Sequence, residues 1–150
     1  MKYTACYGRT EIEEFKPPKN SVLISITDPE SEVVNINMDD GWEAIAHLQF
    51  WDTSPTKPDR DRFPGLASMM PPAESWQIMM IRTFIQENQD RNIFVHCEAG
   101  ISRSAAVREY LIRRGWEYWD TNGFRVVYPN NYILRSLERL DYPEREYSDA

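Results

Sequence analysis

Cys97 and Arg103 stand six positions apart, with Gly100 between them, in the segment His96-Cys97-Glu98-Ala99-Gly100-Ile101-Ser102-Arg103-Ser104. A thiolate is a strong nucleophile, and a planar guanidinium grips two oxygens of a tetrahedral anion at once. Together they suggest attack of sulfur on phosphorus, with a covalent thiophosphate as intermediate. Gly100 permits backbone torsions that turn N–H groups inward. The groups from Glu98, Ala99, Gly100, Ile101, Ser102 and Arg103 would then line a phosphate cradle. Ser102 and Ser104 can donate hydrogen bonds to the sulfur, and Ser104 is the better placed to steady it when it leaves. His96 fits a part in orienting the loop through backbone groups better than one as acid or base.

Such a loop needs a strand to deliver it and a helix to leave from. The apolar run Ile93-Phe94-Val95 ends a strand predicted over Asn92 to Val95, and a helix is predicted over Arg103 to Arg114, stopped at Gly115. Upstream, Lys2 to Tyr7 reads as a first strand, with a short helix near Glu11–Phe15. Val22 to Ile26 is a continuous apolar run, as in a strand buried on both faces. Val33 to Asn37 suggests a short edge strand, and Ala44 to Phe50 another strand. Glu74 to Gln89 reads as a helix whose Trp76, Met80, Phe84, Ile81 and Ile85 fall on one core-facing side. A turn and extended segment over Gly123 to Tyr128 leads to Pro129-Asn130-Asn131, which caps a last helix bearing Ile133, Leu134, Leu137 and Leu140. Arg108, Arg113 and Arg114 read as a solvated helix face. The polar tail from about residue 143 reads as frayed.

Strands alternating with helices predict one α/β domain over 1–150, with a mostly parallel sheet of about four or five strands flanked by helices. Ligands of such sheets lie beyond the carboxyl ends of the strands, which is where both Cys97 and Asp52 fall. Asp52 also opens the most irregular stretch, Asp52 to Pro72, with five prolines and the charged run Lys57 to Arg62. A loop that long in a compact domain reads as a lid, a binding loop or a disordered segment.

The 150 residues carry a net charge of −7, with 41% hydrophobic and 27% charged residues. An acidic chain makes a poor default partner for nucleic acid or an anionic membrane, so neither is expected. No apolar run approaches the roughly 20 residues that span a bilayer, and the N-terminus shows no signal-peptide core, so a cytoplasmic location is expected. Two cysteines and two widely spaced histidines suggest neither a disulfide framework nor a metal centre, and no cofactor is expected. Cys6 reads as a buried strand cysteine.

The segment His96 to Ser104 resembles the signature loop of the cysteine-dependent protein tyrosine phosphatases, His-Cys-x5-Arg-Ser/Thr. More closely, the chain resembles compact bacterial and phage members related to dual-specificity phosphatases. Supporting stretches are Leu23 to Pro29, Leu48 to Asp52, Val95 to Val107 and Pro129 to Asn131. The resemblance implies a general acid, an aspartate on a loop before the cysteine. Asp52 is the candidate, with Asp59 and Asp61 as rivals. It also implies an asparagine before the last helix that braces the phosphate loop, either Asn131 or Asn130. The implied activity is hydrolysis of phosphotyrosine, with phosphoserine and phosphothreonine as further substrates, in a protein or a small phosphomonoester. The five variable loop positions hold no lysine and one acid, Glu98, which disfavours lipid or RNA substrates. Two other readings remain open at this level: a phosphate-binding module without turnover, and a rhodanese-type sulfurtransferase. A low-molecular-weight phosphatase does not fit, since Ile12 stands six positions after Cys6.

Overall fold

A computed structural model describes residues 1–55, 64–119 and 126–145 of the chain. Five strands form one sheet in the order β3-β2-β4-β1-β5: β1 Tyr3–Tyr7, β2 Ser21–Thr27, β3 Trp42–Gln49, β4 Asn92–His96 and β5 Glu117–Tyr118. Every pairing is parallel. All five carboxyl ends therefore reach the same edge of the sheet. The helices are α1 Arg9–Glu14, α2 Leu66–Met69, α3 Ser75–Glu87, α4 Arg103–Arg113 and α5 Asn131–Asp141. No helix among the described residues is long and apolar enough to cross a membrane.

The central strands are apolar because both faces of the sheet are covered. Alternate side chains of β2 and β4 enter two cores. Val22, Ile24, Ile26, Ile93 and Val95 pack with α3, α4 and α5, through Ile81, Val107, Leu111 and Leu137 among others. Leu23 and Phe94 face the other way, onto Ala5, Tyr7, Ile12, Val34 and Trp42. The predicted α/β class and parallel sheet describe this architecture.

Three local expectations are corrected. Val33–Asn37 is not a strand. Both edges of β2 are already occupied by β3 and β4, and the segment is anchored by burying Val34 on a sheet face. In α3, Ile78, Ile81 and Ile85 are the buried stripe at i, i+3 and i+7, which leaves Trp76 (56% exposed) and Met80 turned to solvent and Phe84 at the core margin. The proline-rich stretch is not wholly irregular either, since it contains α2.

Arg114 is not part of a solvated face. Its Nε donates to Asp141 Oδ2 at 2.8 Å, Arg82 Nε donates to Asp141 Oδ1 at 2.8 Å, and the Tyr110 hydroxyl donates to Oδ2 at 2.6 Å. One carboxylate thus ties α3, α4 and α5 together. Burial pushes the Asp141 carboxyl up, but the Tyr110, Arg82 and Arg114 bonds outweigh it and the net shift is downward. The stability this adds is present above the ordinary carboxylate range and is lost as pH falls through the lowered value. Asp141→Ala leaves two guanidiniums short of an acceptor and is expected to cost about 2 kcal/mol in urea unfolding at neutral pH. An unchanged midpoint contradicts the role given to this network.

Candidate active site

Parallel pairing brings Gly8, Asp28 and Cys97, each just past the end of its strand, to one edge of the sheet, and Asp52 follows β3 by three residues. Cys97 and the loop after it join β4 to the N-terminus of α4. This loop is braced on both sides by backbone hydrogen bonds. From β1, Tyr7 O accepts the Cys97 N–H at 3.1 Å, and the Arg9 N–H donates to Glu98 O at 3.0 Å. From the segment before α5, the Tyr128 N–H donates to Ile101 O at 2.9 Å and the Asn130 N–H to Ser102 O at 3.1 Å. Gly100 has φ +75°, in the left-handed region that favours glycine. The Cys6 thiol donates to the Gly100 carbonyl at 3.6 Å. Peptide planarity then points the Ile101 N–H the opposite way.

Cys97 is 2% exposed. Its Sγ accepts the Gly100 N–H at 3.2 Å and lies 3.1 Å from the Ser104 hydroxyl. Ser102 does not share this task, because its hydroxyl donates to Asp52 Oδ1 at 2.8 Å. Arg103, first residue of α4, is 4% exposed. Its Nη1 donates to Phe50 O at 2.7 Å and pairs with Asp28 Oδ1 at 2.8 Å. The buried Nε has no hydrogen-bond partner among the described residues.

Asp52 sits across the loop, exposed, with Oδ1 held by Ser102 and by Asn130 Nδ2 at 2.9 Å. Asn130 also donates to Thr53 O at 3.3 Å and caps α5 by accepting the Ile133 N–H at 3.1 Å. The bracing contacts thus belong to Asn130. Asn131, the other candidate, is an exposed first residue of α5. The helix start explains why: only the cap residue keeps an extended backbone that turns its side chain back to the loop. Asp59 and Asp61 lie outside the described residues.

His96 is fully buried. Its Nδ1 lies 3.3 Å from Cys97 O and its Nε2 2.6 Å from the Ser25 hydroxyl. A carbonyl only accepts, so Nδ1 carries the hydrogen and Nε2 accepts from Ser25. Burial pushes the His96 pKa down to about 4, against the pull of the Cys97 carbonyl.

Two participants were missed in the sequence. Asp28 read only as the end of a strand in Thr27-Asp28-Pro29, although the carboxyl-end rule that singles out Asp52 applies equally to it. The Phe50 carbonyl leaves no sequence signal, since any residue supplies one.

No family model and no curated protein matches the chain. Among solved structures, the human tyrosine phosphatase-like serine/threonine/tyrosine-interacting protein is similar at 18% identity, with a TM-score of 0.49, over 83% of this chain and 78% of that one. Tk-PTP in its active form is similar at 16% identity, with a TM-score of 0.42, over 93% and 80%. These likenesses concern the course of the chain and say nothing of activity.

Two outcomes follow from the site's supports. A Cβ on Gly8 would lie 3.1 Å from Ala99 O, against loop backbone that cannot swing aside. Gly8→Ala is therefore expected to weaken vanadate binding by about tenfold, as displaced binding groups do. Equal affinity contradicts the bracing. For His96, the unfolded state binds the proton first as pH falls below the ordinary value of 6.5, so stability drops from there down to about 4. His96→Asn should flatten the fall in thermal midpoint between those values. The same slope in both proteins rules out His96 as its source.

Proposed function

We propose that the chain hydrolyses phosphate monoesters through a cysteinyl-phosphate intermediate, with phosphotyrosine as the favoured substrate and phosphoserine or phosphothreonine as further ones. The observation that carries this reading is the convergence of the Gly100 N–H and the Ser104 hydroxyl on the buried Cys97 Sγ, at the mouth of a helix. The Gly100 N–H donates to the sulfur and the Ser104 hydroxyl is within reach to donate as well, an arrangement that suits a thiolate better than an inert core cysteine.

In the first step Cys97 Sγ attacks phosphorus, the S–P bond forms and the P–O ester bond breaks. Asp52 gives its proton to the leaving oxygen. Loop N–H groups and Arg103 hold the three remaining phosphate oxygens through the transition state. In the second step Asp52 takes a proton from water, which attacks phosphorus. The S–P bond breaks, inorganic phosphate leaves, and Ser104 steadies the departing thiolate. His96 orients the loop, and Asn130 holds Asp52. Asp28 is ion-paired with Arg103, whereas Asp52 is exposed and held at the loop by Ser102 and Asn130, which supports giving it the acid's part. Ile101 and Tyr128 are joined through their backbones and both are exposed, which supports packing of an aromatic ring at the rim. The net charge of −7 and the lysine-free loop argue against more highly charged substrates.

The purified chain is expected to hydrolyse p-nitrophenyl phosphate with chelator present, to be inhibited by vanadate, and to lose turnover in Cys97→Ser. Asp52→Ala should slow turnover by roughly 10²–10⁴, the usual worth of a general acid. Vanadate binding without turnover favours a phosphate-binding module instead. Transfer of sulfur from thiosulfate to cyanide favours a sulfurtransferase.

A further inference from the structure

We propose that Asp28 is a positioning residue for Arg103, fixing which edge of the guanidinium meets the phosphate. The inference rests on the phosphate reading of the Cys97 loop. A guanidinium has five N–H donors: one on Nε and two on each Nη. Nη1 is engaged twice: it donates to Phe50 O at 2.7 Å and forms an ion pair with Asp28 Oδ1 at 2.8 Å. A two-pronged grip on phosphate needs two adjacent nitrogens, and with Nη1 engaged the fork still whole is Nε with Nη2. Nε is buried and without a hydrogen-bond partner among the described residues, as suits a group kept for a ligand.

Phe50 O alone leaves the guanidinium free to turn about that bond. Asp28 supplies the second point and so removes the rotation. Asp28 is itself fixed: Gln49 Nε2 donates to its carbonyl at 3.3 Å, and its own N–H approaches Glu98 Oε1 at 3.5 Å. Its side chain keeps about a third of its surface exposed, at 30%, against 5% for Arg103. The carboxylate is thus the more exposed member of the pair, while Asp52 is held separately by Ser102 and Asn130. A carboxylate so near an anion site repels the anion, and its orienting effect must exceed that repulsion for it to aid binding. The two effects have opposite signs, which makes the role measurable.

The test uses the full chain with vanadate and p-nitrophenyl phosphate. Asp28→Asn is expected to weaken vanadate about tenfold by calorimetry and to lower kcat by about 10–100-fold, more than it raises KM, as misaligned transition-state contacts do. Asp28→Glu, which keeps the charge, should fall between Asp28→Asn and wild type. In an Arg103→Lys background, Asp28→Asn should change vanadate affinity little, because the residue through which it acts is gone. Equal or tighter vanadate binding by Asp28→Asn overturns the proposal, since that is what loss of simple repulsion gives. If Asp28→Asn does not fold, Asp28→Glu decides: weaker vanadate binding supports the role, and wild-type affinity ends it. A wild-type chain that binds vanadate without hydrolysis contradicts the phosphatase reading, while the binding comparison still judges Asp28.

Discussion

Arg103 carries a full positive charge to a place where only 4% of its surface meets water. A buried cation must find acceptors or the fold loses more than packing returns. The chain meets this demand with the ends of two neighbouring strands: Asp28 just after β2 and the Phe50 carbonyl just after β3. Those strands can offer both only because they run parallel and end at the same edge. The topology and the charge are thus one constraint. What the arrangement leaves unmet, the Arg103 Nε, is a small cost in stability placed where an anionic ligand can relieve it.

The same economy governs the loop around Cys97. Its Glu98 carbonyl is held by the β1–α1 turn and its Ile101 and Ser102 carbonyls by the strap before α5, while the Gly100 N–H turns to the sulfur. Asn130 links the parts. Its backbone bonds the loop at Ser102, its amide holds Asp52 and Thr53, and its oxygen starts α5. A change at this one position reaches the Cys97 loop, Asp52 and a helix that contributes Ile133, Leu134 and Leu137 to the core.

Much of this was legible in the residues themselves. The spacing of Cys97, Gly100 and Arg103, set between an apolar strand and a helix, already placed a tight strand-to-helix loop there, because short-range geometry decides it. The parallel sheet follows from alternation of elements. Partners distant in sequence were harder to see. Asp28 and Asp52 look alike, each an acid after an apolar run, and only strand order tells which reaches the arginine and which the far side of the loop. Asn130 and Asn131 differ by one position, and the cap geometry alone chooses between them. In α3 the expected core face held Ile81 and Ile85, which are buried, but also Trp76 and Met80, which turn to solvent while Ile78 is buried, since side-chain size says less about burial than fit against the sheet.

The central claim is that Cys97 becomes covalently bound to phosphorus during turnover, and the direct measurement is to catch that bond. Asp52→Ala, mixed with a phosphomonoester bearing a good leaving group and quenched in acid within milliseconds, should yield a peptide containing Cys97 that is heavier by one phosphoryl group, and Cys97→Ser should yield none. Turnover with no phosphoryl group on Cys97 at any quench time would contradict the account.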